Sequence, residues 1–282
     1  MLNDTNKYIF NIYHYLLNLR DTMEYALERE HSKELYEQRK KILTAGIEQG
    51  SALGNFLENN QEQGEKIKAK ITEFLNDIYA DDSTVLKVTE DGKVRVDHTQ
   101  HIKIFEQVVG LQESVRDILY GYLNFARSKN ETQPEMMNLV ALDERMTRCI
   151  IAMLIMREFQ KSFGEFQKVM AESKGQPTPQ SNFIVQNEIS KMASLMRFSR
   201  AHAHCTDNET LDLLDDVNKV IEMTEGRRDR RDNKSFQDIF NDINRRLNDM
   251  VAKLEPQWKV AYENLFKQMV ELSKNKPADA QA

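Results

Sequence analysis

The octapeptide Cys149-Ile150-Ile151-Ala152-Met153-Leu154-Ile155-Met156 is apolar on every side, and it lies inside a longer stretch, Thr132 to Lys174, with helical periodicity. Apolar residues recur at Leu139, Leu142, Met146, Cys149, Met153, Met156, Phe159, Phe163, Phe166 and Met170, in steps of three and four. Thr132-Gln133-Pro134-Glu135 reads as a capping box with proline in the first turn. The spacing therefore predicts one long helix. Its flanks carry a one-sided stripe and suit a bundle surface, whereas a centre that is apolar all round must be enclosed by other helices. The chain has to supply them.

It has the length to do so. With 282 residues, 30% of them charged, 13 methionines and few glycines or prolines, the chain favours long helices over a turn-rich sandwich or barrel. The first helix runs from Asp4 on Ile9, Ile12, Leu16, Leu19, Met23, Ala26 and Leu27, with a bend expected near 31–34. A second resumes on Ile42, Ile47, Leu53, Phe56 and Leu57. There Gly46, Gly50 and Gly54 share one face, as a helix-pairing seam or as tight internal packing. Helices are expected also over 63–79, 97–129, 183–204, 206–224 and from Ser235 onward. Phe240, Ile243, Leu247, Met250, Leu254, Trp258, Ala261, Leu265, Met269 and Leu272 make the last one the most regular seam in the chain. Pro256 predicts a kink or a fresh helix start near Glu255.

Between 83 and 97 the period changes from 3.6 to 2. Thr84-Val85-Leu86-Lys87-Val88-Thr89 and Lys93-Val94-Arg95-Val96 flank Glu90-Asp91-Gly92, and Asp-Gly is a strong hairpin signal. Two strands alone are marginal in water, so Leu86, Val88, Val94 and Val96 must pack on the chain's own helices or on a partner. The fold expected is mainly α: an elongated multi-helix bundle with long coiled-coil-like helices and one β-hairpin insertion. Its expected divisions are an N-terminal bundle with the hairpin (1–174), a Gly/Pro linker (175–180), a C-terminal helical region (181–274) and a disordered tail (275–282).

Functional signals are sparse. A net charge of −6 and a pI near 5.7 disfavour nucleic acid and anionic membranes as general partners. Two cysteines, Cys149 and Cys205, make no disulfide framework and fit a reducing compartment. No basic, apolar and small-residue order of a signal peptide opens the sequence, and no apolar run nears the roughly 20 residues of a membrane span, so a cytoplasmic protein is expected. Glu28 and His31 form one Glu-x-x-His pair of the kind dimetal bundles use twice. No second pair accompanies it, so a surface ion-pair face is the reading adopted. His98, His101, His202, His204 and Cys205 invite a metal reading, although His202 and His204 would diverge on a helix. Helix-end histidines interacting with terminal carbonyls account for them equally well. Arg227, Arg228, Arg230 and Arg231 could engage phosphates or an acidic partner, but Asp229 and Asp232 dilute their charge and no aromatics interleave.

No phosphate-binding loop, dinucleotide fingerprint, nucleophile elbow or cofactor signature is present, and the balance is non-enzymatic. The function expected is a scaffold, adaptor or structural subunit binding protein partners or copies of itself. Leu247, Leu254, Trp258, Leu265, Leu86 and Val94 are its candidate contact residues, with no cofactor required. The alternatives are an all-α metal-dependent enzyme or metal sensor using the histidines, and a nucleic-acid accessory protein using the arginine loop.

Overall fold

The computed structural model describes residues 4–28, 30–56, 62, 65–66, 68–70, 72–73, 76, 86–96, 100–128, 134–173, 178–184, 186–187, 190, 212 and 236–274. The elements in chain order are α1 (Asp4–Leu27), β1 (Glu30–Ser32), α2 (Lys33–Phe56), β2 (Leu86–Val88), β3 (Lys93–Val96), α3 (His101–Ser128), α4 (Pro134–Glu172) and α5 (Phe236–Lys274). A helical stretch over 179–184 follows α4. The protein is mainly α with one small antiparallel sheet, as its composition and periodicities predict.

Two compact units form. One comprises Met1–Val140 with Ala261–Ala282, and the other Ala141–Val260. The first is built on α1 against α3, with α2 beside α1 and the sheet beside α2. Leu16, Leu19 and Met23 of α1, and Phe105, Val108, Val109 and Leu119 of α3, are completely enclosed. Their three- and four-residue steps put each set on one helix face, and burying each such side chain stabilises the fold by about 1.5–3 kcal/mol. Thr22, buried within this core, donates its hydroxyl to the Asn18 carbonyl at 2.6 Å. Its polar atom is thereby satisfied where water cannot reach. The part of α5 from Ala261 onward belongs to the same unit, where Phe10, His14, Tyr262 and Phe266 make an aromatic cluster with centroid separations of 4.5–6.3 Å.

In the second unit the apolar centre of α4 is enclosed: Cys149, Ile151, Ala152, Leu154, Ile155, Met156 and Phe159 are all buried. Phe240, Ile243, Leu247, Met250 and Leu254 of α5 are buried as well, so the regular seam is occupied within a single chain. Of the two outcomes expected near Glu255, a kink or a fresh helix start, the fresh start does not occur: α5 runs as one helix through Pro256. Proline removes one N–H and crowds the preceding turn. The carbonyl that loses its donor is that of Ala252, an exposed residue, so solvent can replace the missing N–H; one position on, Gln257 donates its side-chain amide to the Lys253 carbonyl at 3.1 Å.

The Pro-rich segment after α4 ends in a cap. Thr178 accepts the Ser181 N–H on its hydroxyl at 3.0 Å, and Ser181 Oγ accepts the Thr178 N–H at 2.7 Å. Pro179 stands first in the helix, where its missing N–H costs nothing. Of the expected linker, 175–177 lie outside the described residues, as do the tail 275–282 and most of the helices expected over 63–79, 183–204 and 206–224. Gly46, Gly50 and Gly54 fall inside α2.

Candidate partner-binding edge

The expected hairpin is present and acquires a third strand, giving a sheet of order β1-β3-β2 in which both pairs are antiparallel. The turn explains the local fold. Gly92 donates to the Thr89 carbonyl at 2.9 Å and Thr89 donates to the Lys93 carbonyl at 2.8 Å, closing a three-residue loop, with Gly92 at φ 75°. This is a type I turn followed by a left-handed residue, the geometry in which glycine is favoured because it carries no Cβ. The Thr89 hydroxyl ties the loop further, to the Lys93 carbonyl at 2.9 Å and to the Asp91 carboxylate. That hydroxyl holds the Asp91 carboxyl below its usual pKa.

The third strand comes from the segment where a simple bend is expected. α1 ends at Leu27, with Glu28 donating to the Tyr25 carbonyl at 3.1 Å, and Glu30-His31-Ser32 then pairs with Arg95, Val94 and Lys93. Ser32 closes the strand and opens α2 by accepting the Leu35 N–H at 3.2 Å.

Strand alternation sorts the sheet into two faces. His31, Val94 and Val96 lie on one face and are buried, while Glu30, Lys93 and Arg95 of the opposite face are exposed. His31 is only 3% exposed, and its ring stacks on Tyr25 with centroids 3.7 Å apart. The Arg39 guanidinium lies 5.9 Å from the centre of the same Tyr25 ring. Burial pushes the His31 pKa down to about 4, partly offset by a backbone interaction with Glu28. At neutral pH His31 is uncharged, and its contact with the Glu28 carboxylate at 3.6 Å is no ion pair. The expected surface ion-pair face is thus corrected: Glu28 and His31 stand on a turn and a strand rather than on one helix, and the imidazole is a core residue.

On the outer face Glu30 reaches Lys93 Nζ at 2.5 Å and Arg95 Nε at 3.0 Å. Hydrogen bonds from Lys93 and then Arg95 depress the Glu30 pKa, and Glu30 raises that of Lys93. The cross-sheet row reads Glu30, Arg95, Lys87, and among the described residues Lys87 has no ion-pair partner.

The edge strand β2 differs from β1. Because Thr89 bonds to Lys93, alternation along the ladder makes Lys87–Arg95 a hydrogen-bonded pair and Val88–Val94 a non-bonded one. The backbone N–H and C=O of Val88 therefore point away from β3, toward the outer edge. The Val88 side chain belongs to the face that buries Val94 and Val96, yet it is 61% exposed. Leu86 on the same strand is half-buried.

The other candidates fall elsewhere. Val94, Leu247, Leu254 and Leu265 are buried in the single chain, and Trp258 is half-buried. Leu86 and Val94 belong to the sheet, and the other four lie along α5. Arg227, Arg228, Arg230 and Arg231 lie outside the described residues, as do His98, His202, His204 and Cys205. His101 opens α3. Among the described residues no three His, Cys, Asp or Glu side chains converge on a possible metal position, and no helix is long and apolar enough to cross a membrane. Sequence reasoning missed Glu30 and His31 as sheet residues, because three residues are too few to show a period. No family model, curated protein or solved structure matches the chain.

Proposed function

We propose that this protein is a non-catalytic helical scaffold or adaptor that receives an extended segment of a partner protein along β2. The supporting observation is Val88, which combines an outward-directed backbone with an exposed apolar side chain on a sheet whose other edge is occupied by β1. A strand added there would pair with the Val88 N–H and C=O and cover the isopropyl group. The sheet packs beside α2, and His31 stacks on Tyr25 of α1, so the edge is held on the helical unit before a partner arrives, which lowers the ordering cost of binding.

Val88→Pro tests the reading with little collateral damage. Proline deletes the outward N–H, which makes no bond to β3, and edge strands tolerate proline in that orientation. Binding of strand-length peptides selected from a random library should be mapped by amide exchange on the full chain, with Val88→Thr as the control that retains the N–H. The expected result is protection at Val88 in the parent and in Val88→Thr, with loss of binding in Val88→Pro. Peptides that bind all three proteins alike would overturn the edge as the contact.

A further inference from the structure

We infer that the segment received by β2 alternates acidic and apolar residues, an inference that rests on the edge reading above and adds the chemistry of the partner. Glu30, Arg95 and Lys87 lie directly opposite one another in a row across the three strands. Glu30 neutralises Arg95 at 3.0 Å and also holds Lys93. Lys87, at the far end of the row, is exposed and faces Arg95, a like charge, with no carboxylate of its own among the described residues. Like charges placed directly opposite destabilise a sheet, and opposite charges stabilise it. A fourth strand with a carboxylate beside Lys87 would do for that lysine what Glu30 does for Arg95.

Alternation fixes the rest of the pattern. The partner residue opposite Val88 falls on the inner face, where the exposed isopropyl group calls for an apolar neighbour. The residues on either side of it fall on the outer face, one of them next to Lys87. An acid-apolar-acid segment meets both faces at once.

The same geometry selects against two other occupants. A second copy pairing antiparallel about Lys87 would set Lys87 against Lys87, so the edge discourages self-pairing while admitting an acidic strand. A nucleic acid would meet the Lys87, Lys93 and Arg95 cations, but Glu30 sits among them, Glu90 and Asp91 are exposed on the adjoining turn, and the three strands place no aromatic residue of their own on the outer face to stack on a base.

The experiment uses the full chain and three synthetic peptides in which Val alternates with Asp, Ser or Lys. The readouts are the backbone amide shift of Val88 and the Kd from titration. At low salt the Asp peptide should bind about tenfold more tightly than the Lys peptide, with the Ser peptide between them, because cross-strand charge pairs each change affinity by a factor of a few. That gap should close at about 0.5 M salt, where the Debye length falls well below ten ångströms. Lys87→Glu should invert the order, and Val88→Pro, with the Val94 amide still protected, should abolish binding of all three.

Equal binding of the three peptides with continued sensitivity to Val88→Pro would overturn the acidic partner and leave the edge reading standing. No binding by any peptide, or binding of the Asp peptide that survives Val88→Pro, would overturn the edge reading and this inference together. An oligothymidylate that shifts the Val88 amide at least as strongly as the Asp peptide would overturn the acidic segment in favour of nucleic acid.

Discussion

Acidification should loosen the small sheet through His31. The imidazole is 3% exposed and its pKa is lowered to about 4, while the unfolded chain titrates near 6.5. Between these values the unfolded state binds the proton that the folded state refuses, so stability rises with pH across this window and is lost as pH falls from about 6.5 toward 4. Above 6.5 both states hold a neutral ring and the effect vanishes. The full shift corresponds to about 3 kcal/mol. At pH 4.5, half a unit above the folded value, about 2 kcal/mol of this is lost once partial solvent screening of the ring is allowed for. His31 pairs with Val94 across β1 and β3, so exchange of the Val94 amide reports directly on the ladder. Exchange-derived opening free energies should be compared at pH 7 and 4.5, after correction for intrinsic exchange, in the parent and in His31→Phe, which keeps a ring on Tyr25 and cannot titrate. The parent should lose about 2 kcal/mol more than the variant. His14, whose pKa burial also lowers, is common to both proteins and cancels in the difference. An equal loss in the two proteins between pH 7 and 4.5 would refute the assignment.

Leu247→Ala should cost about 2–5 kcal/mol in chemical denaturation, because Leu247 is completely enclosed and its removal leaves a cavity; a change under about 0.5 kcal/mol would contradict the enclosure. Gly92→Ala should destabilise the hairpin by about 1 kcal/mol through its φ of 75°, and Gly92→Asn by less, read from amide exchange across β2 and β3. Thr178→Ala should remove about 1 kcal/mol from the helical stretch over 179–184, whereas Thr178→Asp should largely retain the cap; equal exchange rates at the Ser181 amide in parent and alanine variant would show that the hydroxyl bond is not formed.

What could be read from sequence here is what is local. The long α4 is legible because ten apolar residues keep helical steps across it, and the burial of six of the eight residues from Cys149 to Met156, with Ile150 and Met153 half-buried, follows from a centre with no polar side. The hairpin is legible because Glu90-Asp91-Gly92 interrupts a change of period, and the turn requires the glycine at the position where it occurs. β1 was not legible. It has three residues, one of them a histidine, and it becomes a strand only by pairing with Lys93, Val94 and Arg95 more than sixty positions away. The Glu-x-x-His spacing misled for the same reason: it presupposes a helix, and the helix ends at Leu27. At Pro256 only the fresh helix start failed, since one missing N–H leaves a single carbonyl, that of the exposed Ala252, to be satisfied by solvent and the helix continues.

The third strand also changes what the hairpin can do. With two strands, either edge would be open and the apolar face would have no fixed register. β1 closes one edge, and its Glu30 carboxylate clamps Lys93 and Arg95 on the outer face, while His31 against Tyr25 anchors the inner face to α1. Register along β3 is thereby held from both faces, since a one-residue slip would bury Arg95 and expose Val94. The consequence passes to β2, whose pairing with β3 places Val88 and Lys87 at set positions on the remaining edge. The exposure of Val88 is then a feature of a registered ladder rather than of a frayed end, and the specificity proposed for this edge follows from that register.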